Sequence, residues 1–336
     1  MDEKRERNAS IELYRVLLML GICVLHCITL GTKRAHPLAG VLMCCVPGFV
    51  FISGWFGIRF SPSKVIRLFA LGLWCACVKI GLNWLLGGQA QSGDYLRQVL
   101  ELWTNGFWFL NAYVALMFLA PLVNVAVSAV GGGKTMIYLL PLLILVFGWT
   151  YLTGAPVVHK LSWPLTPGMG SNTVLTLLGV YAFARICCVA RVHERLKNRH
   201  LVLIALVCLP LVAFGFGNYH SLFSAALALA GFVWMSRVNL PNGLCQFVLW
   251  LSPSMFAVYL LHSTRYGFEV IERLQDALRL PLVPCAILTG MIVFGACVLI
   301  DSIRRCICIP LNGALLGRID RLYARIVDWC ERSVAC

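Results

Sequence analysis

Apolar residues run along this chain in long stretches that are separated by short polar connections. An apolar stretch of about 17 to 25 residues is long enough to cross the hydrocarbon core of a bilayer as an α-helix. The pattern therefore predicts an all-α, polytopic membrane protein with about ten transmembrane helices. The predicted spans are 11–31, 38–58, 66–87, 107–128, 135–153, 172–190, 200–217, 220–236, 244–263 and 283–303.

After the last span the pattern changes. Residues 309–336 mix apolar side chains such as Leu322 and Trp329 with arginines at helical spacing. This arrangement is typical of a helix that lies along a membrane surface. No internal repeat or low-complexity linker divides the rest of the chain. We therefore expect one transmembrane domain over residues 1–308 and a cytoplasmic amphipathic tail over residues 309–336.

Composition supports the membrane interpretation. The mean hydropathy is +0.83 and only 12% of the 336 residues are charged, whereas a soluble domain carries about 25%. The first span is too long for the core of a signal peptide and lacks a cleavage site, so we expect it to be retained. The net charge of +14 does not indicate nucleic acid, because the basic residues fall in short connections and no soluble basic domain carries them.

The basic residues instead indicate topology. With the N-terminus inside, 19 of the 28 Lys and Arg residues flank the spans on the inner side and seven flank them on the outer side. This bias matches the positive-inside rule. We expect a multi-pass protein of the cell membrane with both termini in the cytoplasm.

The 16 cysteines predict neither a disulfide framework nor a metal centre. Most of them lie inside apolar spans, where cysteine behaves as a small hydrophobic residue. The adjacent pairs Cys44-Cys45 and Cys187-Cys188 lack the spacing and the neighbouring histidines of a zinc site.

Arg15 and His26 stand inside the first span. They are eleven positions apart, which places them on one helix face about 16 Å apart along the axis. Ionisable groups inside a bilayer are costly and usually face a cavity or the bundle interior. The guanidinium of Arg15 suits phosphate, and a neutral imidazole at His26 can act as a base or a nucleophile. The structural alternatives are that Arg15 extends to the headgroups and that His26 is a buried histidine with a packing role.

With the orientation assigned, the other polar residues of the spans fall into two layers. In the inner layer, Ser53, Arg59, Lys64 and Arg67 join Arg15. Together they would form a cytoplasm-facing site for a polyphosphate, although the three basic residues after Ser53 are equally explained as topology anchors. The outer layer contains His26, Lys79, Asn83, Trp108, Asn111, Tyr113, Tyr259 and His262.

The outer layer contains the groups that acyl transfer requires, namely a base or nucleophile and donors for an oxyanion. Each member also has a structural explanation. Lys79 can extend to the outer headgroups, and Trp108 and Tyr113 can be belt aromatics. His262 can serve only to end its helix.

Several of these segments resemble the acyltransferase-3 family of integral membrane acyltransferases. The family's first helix carries an arginine, ten residues and a histidine, as Arg15 and His26 do here. Lysine stands at position 64, where the family's basic element begins with arginine, and this weakens a bidentate phosphate contact at that position. Further similar segments are 51–56 (FISGWF), 64–67 (KVIR), 108–113 (WFLNAY), 120–124 (APLVN) and 259–262 (YLLH).

The resemblance extends from about residue 8 to residue 305 and implies an O-acyltransferase of the stand-alone form, without an SGNH domain. Acetyl-CoA would be the co-substrate, with no metal. His26 and Arg15 would be the catalytic residues, and the acceptor would be a hydroxyl of a cell-surface or lipid-linked glycan on the outer side. The donor would contact Arg15, Ser53, Arg59, Lys64 and Arg67. The acceptor side would be Lys79, Asn83, Trp108, Asn111, Tyr113, Tyr259 and His262.

Two other functions use the same kind of sequence. A transporter or flippase of glycan or lipid also needs ionisable groups at mid-depth, but the chain lacks two similar halves with paired broken helices. A non-catalytic membrane sensing module would tolerate changes at Arg15 and His26.

Overall fold

The computed structural model shows an all-helical chain in the part that it describes. The described residues are 8–32, 36–85, 108–131, 133–134, 137–138, 141, 174–216, 219, 221–307 and 313–334. The helices are α1 (Ala9–Gly31), α2 (Pro37–Leu42), α3 (Cys45–Phe56), α4 (Pro62–Leu85), α5 (Trp108–Val130), α6 (Val174–Val189), α7 (Val192–Arg195), α8 (Asn198–Leu211), α9 (Leu222–Ser236), α10 (Asn242–Leu251), α11 (Met255–His262), α12 (Arg265–Leu278), α13 (Leu282–Ile307) and α14 (Gly313–Val334).

Within the described residues, seven helical stretches are long and apolar enough to cross a membrane. Two shorter apolar helices, Thr176–Val189 and Leu222–Ser236, coincide with predicted spans. The predicted span 135–153 lies almost entirely outside the described residues. A multi-pass helical protein is therefore confirmed, whereas the count of ten and the division at residue 308 stay predictions.

Three predicted spans are interrupted, and proline explains each interruption. Pro47 stands in the first turn of α3 and has no N–H to continue the ladder from α2. Pro253 lies in the 3₁₀ turn between α10 and α11. Pro210 precedes a π-helical segment, Val212–Phe216, in which Gly215 has a φ of +130°. These interruptions give the bundle short helices whose ends lie inside it.

Helix α1 is the centre of the bundle, since it contacts α2, α3 and α9 to α13. Asn8 caps its first turn by accepting hydrogen bonds from the backbone N–H groups of Ser10 and Ile11. Ile28 and Cys27, near the other end, are fully buried. Because both ends of α1 are enclosed by other helices, Arg15 and His26 face protein rather than lipid alone.

Two amphipathic helices complete the described fold. Helix α12 lies in a stretch that the sequence pattern treats only as a connection, and it buries Ile271 completely. Helix α14 confirms the helical spacing of the tail. Its Asp320 accepts hydrogen bonds from Ser61 Oγ at 2.9 Å and Ser63 Oγ at 2.6 Å, so it caps the start of α4. Its position at a membrane surface stays a prediction.

Candidate active site

A large cavity opens between α1, α3, α4, α5 and α13. It has a volume of about 910 Å³, within the range of small-molecule and cofactor sites. Its described lining includes five cationic side chains and no carboxylate, and we call it the cationic cavity. The cationic residues are Arg15, Arg59, Lys64, Arg67 and Arg304.

Two of these cations are each held by a buried carboxylate three residues earlier on the same helix. On α1, Arg15 Nη1 lies 2.9 Å from Glu12 Oε1. On α13, Arg304 Nε lies 2.7 Å from Asp301 Oδ1. The carboxylate side chains are 8% and 0% exposed, whereas the arginine side chains are 33% and 24% exposed. The pairs therefore orient each guanidinium while leaving part of it accessible in the cavity.

The rim between α3 and α4 is shaped by a hydrogen-bond network. Gly57 has a φ of +74°, a conformation that L side chains rarely adopt. The Ile58 N–H donates to the Tyr181 hydroxyl at 2.8 Å, and that hydroxyl donates to Asn124 Oδ1 at 2.8 Å. Asn124 Nδ2 returns a hydrogen bond to the Ile58 carbonyl at 3.0 Å. This closed network fixes the backbone that carries Arg59.

Helix α3 also approaches α6 very closely. A Cβ added at Gly54 would lie 2.5 Å from the Tyr181 carbonyl oxygen, so a larger residue would push the helices apart. The glycine next to Ser53 is therefore explained by packing as well as by any ligand.

An aromatic partition separates the cationic cavity from a second, smaller pocket. Tyr113 lines the cavity, Phe109 lines the pocket and Phe256 lines both. The ring centroids of Phe256 lie 6.1 Å from Tyr113 and 6.2 Å from Phe109. The Tyr113 hydroxyl is also 3.2 Å from Ser53 Oγ. A flexible chain leading from the cavity to the pocket would have to pass these rings.

The second pocket contains His26 and is mostly apolar and aromatic. Its volume is about 50 Å³. We call it the histidine pocket. Its described lining is Met19, Ile22, His26, Val46, Phe49, Trp108, Phe109, Tyr219, Phe256 and Tyr259.

His262 packs directly against His26. The ring centroids are 5.0 Å apart, and His262 is 1% exposed. His262 Nδ1 lies 2.6 Å from the Val258 carbonyl oxygen. Since a carbonyl only accepts, this contact assigns the proton to Nδ1 and leaves Nε2 with its lone pair.

Each histidine keeps one buried ring nitrogen without a hydrogen-bond partner among the described residues, namely His26 Nδ1 and His262 Nε2. Such atoms are uncommon in buried positions because they have lost water without gaining a partner. Two of them on neighbouring imidazoles indicate a site that handles a proton or a polar group of a ligand.

Helix α12 covers this end of α1. Gln275 Nε2 donates to the Cys27 carbonyl at 2.8 Å. The Phe268 ring meets the His26 ring edge-on, with centroids 5.4 Å apart. The cover makes the surroundings of the two imidazoles apolar.

The structure brings together most of the residues that the sequence analysis groups. All five predicted donor residues line the cationic cavity, and His26, Trp108 and Tyr259 line the histidine pocket. Tyr113 lies at the cationic cavity instead of with the histidines, because it is one helical turn beyond Phe109. Lys79 and Asn111 are absent from the described linings of both spaces, and the side chain of Asn83 lies outside the described residues.

Sequence reasoning did not assign roles to Glu12, Asp301, Arg304 or Phe256. A carboxylate three residues before an arginine, near the end of an apolar span, is a signal for the first three. Arg304 is one of the 19 basic residues that the charge bias places on the inner side. Phe256 has no signal, since one phenylalanine among many apolar residues is ordinary.

The geometry separates two chemical capacities. The cationic cavity suits an anion with several phosphate oxygens, because guanidinium groups form strong charge-assisted hydrogen bonds with them. The histidine pocket offers His26 in a mostly apolar and aromatic lining, with His262 packed against His26. General base or nucleophilic catalysis requires such groups.

Comparison with known families agrees with this geometry. The Acyltransferase domain family known as acyltransferase-3 matches residues 8–301, and the chain belongs to this family. It is therefore a membrane acyltransferase. No curated protein and no solved structure matches the chain.

Proposed function

We propose that this protein is an O-acyltransferase that uses an acyl-CoA, with acetyl-CoA as the simplest donor. The observation that carries the proposal is the convergence of five cationic side chains, from four segments of the chain, on one cavity. The phosphates of CoA would bind Arg15, Arg59, Lys64 and Arg67. Ser53 would lie beside the donor near the partition.

The pantetheine arm would lead from the cationic cavity past Phe256 to the histidine pocket. The axial distance of about 16 Å between Arg15 and His26 suits an extended arm of this kind. The thioester would then lie beside His26, against which His262 packs, in a mostly apolar space where water competes less with the acceptor.

Transfer can follow either of two routes. In the first, His26 takes the proton of the acceptor hydroxyl, the acceptor oxygen bonds to the thioester carbon, and the carbon–sulfur bond breaks as CoA leaves as a thiolate that is then protonated. In the second, a nitrogen of His26 bonds to the thioester carbon and the carbon–sulfur bond breaks as CoA leaves as a thiolate. The acceptor oxygen then bonds to the acyl carbon, the carbon–nitrogen bond breaks, and the hydroxyl proton passes to the freed ring nitrogen and on to the thiolate. Both routes place His26 at the reacting atoms.

The acceptor is proposed to be a hydroxyl of a cell-surface or lipid-linked glycan on the outer side of the cell membrane. The support is the charge bias, which assigns both chain ends to the cytoplasm. The cationic cavity lies toward the N-terminal end of α1 and the histidine pocket toward the other end. The donor would thus arrive from inside and the acyl group would leave outside.

The test is equilibrium binding and turnover of radiolabelled acetyl-CoA by the purified full chain in detergent. Wild type is compared with Arg15→Ala and His26→Ala, and with Arg195→Ala, which removes an exposed cation that is not among the described residues lining the cavity. We expect Arg15→Ala to weaken binding about tenfold or more, as loss of a hydrogen bond to a charged group does. His26→Ala should bind normally and lose turnover.

Absence of acetyl-CoA binding by the wild type would overturn the donor assignment and move the transporter hypothesis ahead. Normal turnover by His26→Ala would overturn the catalytic assignment. Loss of binding by Arg195→Ala equal to that by Arg15→Ala would show that the measured affinity reflects overall charge rather than the cavity.

A further inference from the structure

We propose that Arg304 is a donor-binding residue and that Asp301 is its positioning residue. This inference rests on the proposed function, since it assigns Arg304 to the phosphate-bearing end of the acyl-CoA. Residue 304 lies beyond the part of the chain that matches the family, which ends at residue 301. Membership of the family therefore assigns no role to Arg304.

Helices α1 and α13 present the same kind of arginine–carboxylate pair at the cavity. Each helix presents an arginine to the cavity, and each arginine pairs with a buried carboxylate one turn earlier. A bidentate guanidinium that is already oriented loses less entropy when it binds an anion. Arg15 and Arg304 would thus hold the donor's phosphates from two adjacent helices.

Asp301 is buried. It is 0% exposed near the end of an apolar helix, where an ionised carboxylate is costly unless it is paired. It has two partners, Arg304 Nε at 2.7 Å and Arg305 Nε at 3.4 Å. Only the contact with Arg304 is a hydrogen bond, so the carboxylate orients Arg304 and pairs with Arg305 by charge alone.

Arg305 is positioned differently. Its Nη1 donates to the Trp250 carbonyl at 3.0 Å, and its guanidinium carbon lies 5.4 Å from the centre of the Trp250 ring. It is not among the described residues that line the cationic cavity. Two neighbouring arginines with the same acidic partner therefore have separate roles, and Arg305 is a matched control.

The experiment uses the full chain in detergent and three probes. They are acetyl-CoA, 3′-phosphoadenosine 5′-diphosphate and acetyl-pantetheine, which has the thioester without the nucleotide phosphates. Arg304→Ala should weaken binding of the first two probes about tenfold and leave acetyl-pantetheine turnover unchanged. Arg304→Lys should recover part of the loss, and Arg305→Ala should bind all three like wild type.

Asp301→Asn tests positioning, because the amide keeps the shape and removes the charge. It should raise the KM for acetyl-CoA severalfold and leave kcat unchanged, whereas a purely structural defect would lower the turnover of both thioesters. Equal effects of Arg304→Ala and Arg305→Ala, or equal effects of Arg304→Ala on acetyl-CoA and acetyl-pantetheine, would overturn the inference. If wild type binds 3′-phosphoadenosine 5′-diphosphate through Arg304 but does not turn over acetyl-CoA, the proposed function is wrong and Arg304 is still a phosphate-binding residue.

Discussion

The two ends of α1 face spaces of opposite character. Around Arg15 the cavity is about 910 Å³, open and lined by cations. Around His26 the pocket is about 50 Å³ and is lined by apolar and aromatic side chains. The contrast teaches that one helix carries both the proposed binding function and the proposed chemistry, and that the aromatic partition keeps them apart.

The difference has a physical reason. An anion with several charges needs many strong donors and tolerates water at its edges, whereas a reactive thioester needs water to be excluded. Combining both requirements in one space would surround the reacting atoms with hydrated charges. Separating them along one helix axis lets each environment be built from different neighbours.

The largest expected effect comes from the histidine pair. His26→Gln and His262→Gln should each lower turnover about 100-fold or more, the range of general acid–base catalysis. The double variant should be no worse than the more impaired single one, because residues that act as a unit are not additive. Turnover measured with a saturating donor checks this, and additive losses would show that the imidazoles act independently.

The next effect tests the partition. Phe256→Trp should narrow the passage and lower turnover of acetyl-CoA about tenfold, while CoA binding at the cationic cavity stays the same. Phe247→Trp is the control, since Phe247 is exposed on α10. If Phe256→Trp instead weakens CoA binding as strongly as it slows turnover, the two spaces are one site.

A smaller effect is expected from the carboxylate beside Arg15. Glu12→Gln should raise the KM for acetyl-CoA a few-fold with kcat unchanged, because the guanidinium keeps its charge and loses its fixed direction. Glu194→Gln, in the exposed pair with Arg191, should have no effect. Steady-state kinetics of both variants make the comparison, and a fall in kcat alone would place Glu12 in the chemistry.

The rim network predicts an effect on stability. Tyr181→Phe removes the hydroxyl that joins Ile58 to Asn124, leaving a partly buried N–H and an amide oxygen without that partner at a cost of up to about 1–3 kcal/mol. We expect a lower midpoint of thermal unfolding in detergent and weaker CoA binding. Tyr323→Phe, at an exposed position on α14, should change neither. An unchanged midpoint for Tyr181→Phe would show that the network does not stabilise the fold.

The smallest effect concerns α14. Hydrogen bonds from Ser63 and Ser61 hold the pKa of Asp320 below its ordinary value. A lowered pKa means that the contact stabilises the docked helix above the ordinary pKa and is lost as the pH falls through the folded value. Asp320→Ala should loosen α14 at neutral pH, measured by hydrogen exchange of its amides. Asp328→Ala, whose described partner is Arg332 on the same helix, should leave α14 docked.

Much of the site was predictable because it depends on local spacing. Arg15 and His26 share a helix face by geometry alone. The basic residues 59, 64 and 67 follow closely on Ser53 in the chain, so their meeting required only a turn between two helices. The sequence analysis puts Tyr113 in the outer layer, whereas Tyr113 lines the cationic cavity. Depth inferred from position along a span does not resolve one helical turn, and one turn decides which space a side chain faces.

Other features depend on contacts between distant parts of the chain. Arg304 and Arg15 line the same cavity although nearly the whole sequence separates them, and no spacing rule relates α13 to α1. The contact of His262 with His26 likewise depends on the break at Pro253, which lets a short helix end inside the bundle. The sequence analysis did not predict amphipathic α12, because it searched for long apolar spans and this short helix is too polar to be one.

The sequence by itself therefore determined the class of protein, its multi-pass helical character, the charge bias and the shared face of Arg15 and His26, because these follow from hydropathy and helical period. Only the tertiary structure decided which cations line one cavity, which carboxylates orient them and which imidazole faces His26. These contacts join residues far apart in the chain. They are set by the packing of helices around α1, which no local pattern encodes.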